Sequence, residues 1–221
     1  MYLWLALALI FAGVEAIAVS KNIQQLEYVA KPAVMVFLLL WLYTMTGLQG
    51  NTLWFGLGVL LSLAGDLLLM ISVDRLFLPG LVAFLLAHIC YITGFRAELM
   101  AVSVWSLILL AFIAVNVSRL IRRIVEAMRA RGENQLVFPV IMYGTVISIM
   151  LYAAMSTLSN QAWTPLGSVL VSTGALLFVA SDVILAWMKF VAPLKNGRIW
   201  NIALYHLGQI GLIAGVVRQF G

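Results

Sequence analysis

The chain has 221 residues, 64% of them hydrophobic and 10% charged, with a mean hydropathy of +1.10 and a formal net charge of +5. Soluble domains carry about 25% charged residues, so this composition excludes a water-soluble protein and specifies an integral membrane protein. At about 20 residues per span the chain has room for about eight helices in one transmembrane domain over residues 1–221, and its modest positive charge reads as a topology signal and an attraction to phospholipid, not as a nucleic-acid footprint.

The first apolar run could be mistaken for a signal peptide, because Ala16-Ile17-Ala18 has the small-residue form of a cleavage site. No positive residue precedes the run and Glu15 adjoins the site, so a first transmembrane helix is expected instead. Apolar runs bounded by charge, Gly, Asn or Pro predict spans over 2–19, 29–46, 52–72, 77–95, 100–118, 135–156, 164–187 and 199–219. Cys90 is the only cysteine, which excludes an intrachain disulfide and a cysteine metal site. No clustered His/Asp ligand motif is present either, so neither a metal nor another cofactor is expected.

Orientation follows from the basic residues. Alternate connections and the helix ends beside them hold Lys21, Lys31, Arg75, Arg119, Arg122, Arg123, Arg129, Arg131, Lys189, Lys195 and Arg198, and the opposite side holds only Arg96 and Arg218. By the positive-inside rule the basic side is cytoplasmic and both termini lie outside the cytoplasm. The longest connection, 119–134, sets Leu120, Ile121, Ile124 and Met128 opposite Arg122, Arg123 and Arg129. It is expected to extend the fifth helix as an amphipathic segment along the anionic inner surface. The tryptophans at 4, 41, 54, 105, 163, 187 and 200 fall mostly near span ends, as an interfacial belt does.

The two halves are similar helix by helix. Gly65-Asp66-Leu67-Leu68-Leu69 matches Ser181-Asp182-Val183-Ile184-Leu185, Lys31-Pro32 falls opposite Phe138-Pro139, and Phe84 to His88 lies over Tyr205 to Gln209. An offset of four helices preserves direction through the membrane, so the fold class expected is an all-α, eight-helix bundle with a parallel four-plus-four repeat.

Depth picks out the candidate site. At 1.5 Å per residue Asp66, Asp182 and Tyr205 all lie about 8–9 Å from the basic ends of their spans. Glu15 and Lys31 are nearer that surface, and His88 and Gln209 are deeper. One polar pocket is expected, opening to the cytoplasm or the inner leaflet. Glu15 and Lys31 suit an ion pair, and Lys31 equally suits a snorkelling role. His88 suits an interhelical hydrogen bond as well as catalysis, Tyr91, Tyr143 and Gln209 suit hydrogen-bonded glue, and His206, on another face than Tyr205, reads as structural. The aspartates are different. Each costs several kcal/mol at this depth unless neutralised or hydrated, and the basic residues at that level are too few to pair both. One carboxylic acid beside one carboxylate is the arrangement used to hydrolyse acetal-like bonds.

Lys31-Pro32, Gly65-Asp66 with Leu69, Gly80 with Phe84, His88 and Tyr91, Pro139 with Tyr143, Gly174-Ala175 through Phe178 to Ser181-Asp182, and Tyr205 with Gln209 occur in an order and spacing that resembles the YhhN-like lysoplasmalogenases. That resemblance covers almost the whole chain. It implies an eight-helix bacterial inner-membrane enzyme that hydrolyses the vinyl ether bond of a lysophospholipid drawn from the inner leaflet, giving a fatty aldehyde and a glycerophospho-base. It makes Asp66 and Asp182 the catalytic acid and base, in an order the sequence leaves open. Tyr205 would orient water, His88 would assist proton movement, Lys31 or Arg198 would hold the phosphate, and Tyr91, Tyr143, Ser181 and Gln209 would support the site. Two other readings fit buried carboxylates: a proton-coupled carrier of a small or lipid-like solute, and a non-catalytic lipid-binding protein.

Overall fold

The structure, a computed structural model, describes residues 2–95 and 104–221. Arg96 and the predicted start of the fifth span at residue 100 lie outside the described residues. Among the described residues eight helices are long and apolar enough to cross a membrane: α1 (Leu3–Ser20), α2 (Gln24–Thr46), α3 (Thr52–Ile71), α4 (Phe77–Phe95), α5 (Val104–Ala130), α6 (Val137–Ser156), α7 (Pro165–Phe190) and α8 (Gly197–Phe220). The protein is an all-α integral membrane protein. Hydrocarbon offers no partner to a free backbone group, so each span satisfies its own N–H and C=O groups as a helix.

The ends are set by local chemistry. Gly47 takes the left-handed conformation at φ +64° and closes α2 with its N–H on the Tyr43 carbonyl. Thr164 caps α7, its hydroxyl accepting the Gly167 N–H, with Pro165 in the first turn. α2 begins at Gln24 instead of residue 29, which places Pro32 inside the helix and leaves the Tyr28 carbonyl without its intrahelical donor. The segment after residue 118 extends the fifth helix as expected, but against the bundle instead of along the lipid surface. It continues α5 as one unbroken helix of 27 residues and packs on the end of the bundle. Ile124, Val125 and Met128 are buried there, and Arg131 donates to the Lys189 and Val191 carbonyls at the end of α7. Apolar side chains at that spacing gain more from covering Phe77 and Phe190 than from lying at the lipid surface.

Neighbouring helices pair as antiparallel hairpins, α1 with α2, α3 with α4 and α7 with α8. The hairpins are joined through α2–α3, α4–α6 and α6–α7, and α1 and α2 return to α8. One core cluster runs through the bundle, and a second, of Phe77, Ile124, Met128, Val140 and Phe190, sits at the end where the basic residues gather. Trp41 and Trp163 belong to the core and not to the belt, whereas Trp105 and Trp200 are exposed. The α7–α8 contact depends on small residues, as close helix packing in membranes does. A Cβ on Gly208 would stand 2.8 Å from the Phe178 backbone nitrogen and 3.0 Å from the Gly174 carbonyl oxygen. Backbone cannot yield as a side chain can. Gly208→Val is therefore expected to cost at least about 1–3 kcal/mol, read as a lower unfolding midpoint in detergent.

Candidate active site

The polar residues of the interior form two centres, not one pocket. In the first, the Asp66 side chain on α3, 1% exposed, meets Lys31 of α2 at 3.0 Å. The Tyr205 hydroxyl of α8 donates to the other Asp66 oxygen at 2.5 Å. The Lys31 ammonium also stands over the Tyr205 ring, 5.6 Å from its centre. A lysine on α2 about two turns from the basic end reaches inward because its carbon stem packs in the bundle while its charge finds Asp66. The expected Glu15–Lys31 pair does not form. Glu15 instead bonds His206 of α8, and both are buried. Consecutive residues of a helix point about 100° apart, so Tyr205 turns to α3 while His206 turns to α1.

In the second centre the Tyr143 hydroxyl of α6 donates to Asp182 Oδ2 of α7. His88 Nε2 of α4 lies 3.0 Å from the Tyr143 oxygen and 3.8 Å from Asp182 Oδ2. With the Tyr143 proton directed to Asp182, His88 Nε2 is the donor to Tyr143. Among the described residues no lysine or arginine pairs with Asp182. The scarcity of basic residues at this level thus leaves one aspartate with a fixed counter-charge and the other with only a phenol and an imidazole.

Phe84 and Phe178 stand between the centres. Phe84 contacts the Tyr205 ring, and Phe178 contacts both Tyr205 and His88, with centroid distances of 6.0, 5.3 and 4.8 Å. Among the described residues the carboxyl groups of Asp66 and Asp182 share no hydrogen-bond partner. Asp182, Tyr143 and Phe84 line a cleft between α4, α5, α6 and α7, whereas Asp66 does not line it. Helical periodicity and depth place both aspartates at one level, but depth carries no azimuth, and the two acids turn into different helix gaps.

Two supporting contacts complete the picture. The Tyr91 hydroxyl donates to Gln209 Oε1 at 2.8 Å, both side chains buried, and the Tyr91 ring lies against His88. Ser181 holds α8 through Asn201, whose amide donates to the Ser181 carbonyl and hydroxyl at 2.8 and 3.0 Å. Asn201 escaped the sequence reading, although Asn201, Tyr205 and Gln209 recur every fourth residue and so share one face. Arg198 stands apart. It is 59% exposed and paired with Glu27 at 2.9 Å, at the rim of the bundle and outside both centres.

The YhhN family model matches residues 26–216 of this chain. The chain belongs to the YhhN family. It is similar to lysoplasmalogenase TMEM86B of Homo sapiens, 27% identical over 146 residues, covering 65% of this chain and 55% of that protein. The Mus musculus protein of that name is 27% identical over 179 residues, covering 78% and 67%, and the Rattus norvegicus one is 25% identical over 151 residues, covering 66% and 54%. This YhhN chain therefore spans about half to two thirds of the length of the curated relatives it matches. No solved structure matches it. Among the described residues no group of His, Cys, Asp and Glu is arranged to hold a metal ion.

Proposed function

We propose that this YhhN protein is a membrane hydrolase that cleaves the vinyl ether bond of a lysophospholipid, with Asp182 as the reacting acid. The observation that carries the reading is the Asp182 carboxyl on the wall of an apolar cleft, bonded by Tyr143 with His88 behind it and, among the described residues, without a Lys or Arg partner. The names of its relatives supply the reaction class.

The chemistry fits this centre in balanced steps. Tyr143 donates to Oδ2, so the proton of the carboxylic acid sits on Oδ1 and passes to the alkene carbon remote from the ether oxygen. The resulting oxocarbenium ion is stabilised by the carboxylate left behind. Water adds to the cationic carbon and returns a proton to Asp182. The hemiacetal then collapses to a fatty aldehyde and the free glycerol hydroxyl as its proton moves to the leaving oxygen. His88 and Tyr143 hold the carboxyl in register and disperse the charge it gains and loses.

Asp66 has a different part in this reading. Its charge is met by Lys31 inside the bundle, and with Tyr205 it forms a support that fixes α2, α3 and α8. The wiring of the two centres supports the parallel repeat. Asp66 on α3 is met from α2 and α8, and Asp182 on α7 is met from α6 and α4. Those are the same partners shifted by four helices. The basic end, where Arg123, Arg131, Lys189 and Arg198 gather, supports a cytoplasmic placement of the site and both termini outside, in a bacterial inner membrane whose inner leaflet supplies the substrate.

Purified protein in detergent is expected to release aldehyde from lysoplasmenylcholine, and failure to do so at any substrate concentration would sink the reading. Within it, Tyr143→Phe removes a hydrogen bond to a charged group, worth about 1.5–3 kcal/mol. That predicts a fall in kcat of about 10–100-fold with KM little changed, since the phenol acts on Asp182 and not on the substrate.

A further inference from the structure

We infer that the cleft between α4 and α7 is a binding site for one hydrocarbon chain, lying along α5 past the Ile121–Gly144 contact with Asp182 at its side. The identity of the chain-bearing molecule rests on the hydrolase reading above, but the geometry stands without it. From Phe190 to Val179 the α7 wall runs about 16 Å along the helix. The polar lining side chains are Tyr143 and Asp182, which bond each other, and Ser148, whose hydroxyl is committed to the Gly144 carbonyl at 2.5 Å. Apolar walls of this kind reward hydrocarbon and reject a charged head group.

The end of the cleft nearest the basic surface is lined by Phe77, Ile124, Val140 and Phe190 of the buried cluster. A charged head group meets only apolar side chains there. Entry is therefore sideways, and α5 is the wall that faces the lipid. Only 11% of its spanning window is buried, the least of the eight helices, and Leu107, Ile108 and Phe112 on its outer face are exposed. A chain moving past α5 exchanges one hydrocarbon surrounding for another, so its transfer needs no dehydration.

Gly144 sets the width. A Cβ there would stand 2.9 Å from Ile121 Cδ1, so α5 packs directly on the Gly144 backbone at the cleft wall. A larger residue at this position either enters the cleft or drives α5 outward. The spacing of α5 from α6 shapes the cleft beside Asp182, which makes Gly144 a specificity-determining position for the chain.

The test uses the full chain in detergent and, as probe, a lysophosphatidylcholine with a saturated ether link and a diazirine in its chain, which binds without turnover. After photolysis, adducts are expected on Ile121, Ile147 and Val179. Gly144→Phe is expected to weaken that labelling about tenfold, the effect of excluding about two methylenes. Val179→Phe narrows the same space from the α7 wall and serves if the glycine variant fails to fold. Adducts confined to lipid-facing residues such as Leu107, Phe112 and Leu176, or labelling that survives both variants, would overturn the inference. Cleft labelling in a protein that hydrolyses no lysoplasmenyl lipid refutes the hydrolase reading and leaves the chain site standing; hydrolysis with no cleft labelling does the reverse.

Discussion

Asp182→Asn is expected to abolish aldehyde release while leaving the bundle folded. The substitution removes the transferable proton and the negative charge that follows it, but it keeps an acceptor oxygen for Tyr143 and nearly the same volume. Positioned acid–base groups contribute about 10²–10⁴-fold, so kcat is expected to fall by at least that factor, equivalent to about 2.7–5.4 kcal/mol of barrier. The unfolding midpoint should stay close to that of the parent, because among the described residues no Lys or Arg pairs with Asp182 and none is stranded when its charge is lost. Two readouts from one preparation make the result decisive. Full activity in the variant sends the chemistry elsewhere, and an inactive variant with a collapsed midpoint removes the argument for a reacting group. A carrier that uses Asp182 for proton coupling would lose transport but would release no aldehyde from the parent protein at all.

The sequence was legible where one dimension suffices. Span number and placement follow from apolar run length, because a bilayer imposes a length on every helix, and the observed ends fall within a few residues of most predicted ones. The largest difference arises where tertiary packing adds turns that hydropathy alone does not demand: α2 starts at Gln24. The polar residues themselves were also legible, since an ionisable group in an apolar run stands out whatever it contacts. Their partners were not. Glu15, Lys31, Asp66 and His206 were visible as charges near one level, yet which pairs with which depends on the rotation of α1, α2, α3 and α8 about their axes. Hydropathy does not encode that rotation. The stripe of Asn201, Tyr205 and Gln209 does encode it for α8, and the same spacing rule points Val140, Tyr143 and Ile147 of α6 toward the cleft.

The first centre supplies the other large effect. Lys31→Met leaves the Asp66 charge buried without its cation, and Asp66→Leu strands the Lys31 ammonium, which is 19% exposed. Breaking a buried pair from one side costs about 3–5 kcal/mol, whereas replacing both members with apolar residues of similar volume is often neutral or stabilising. Each single variant is therefore expected to unfold at a clearly lower temperature and to lose aldehyde release with its fold. The double variant, Lys31→Met with Asp66→Leu, is expected to recover most of the stability, a coupling that a double-mutant cycle measures directly. Its activity then separates the roles of the two aspartates. With the pair acting as a support for Tyr205 and its neighbours, the refolded double variant releases aldehyde at a reduced but measurable rate. A double variant that regains the parent's midpoint and stays silent would instead make Asp66 a second reacting group, reached by substrate or water through a path past Phe84 and Phe178, and the single-acid mechanism at Asp182 would have to be abandoned.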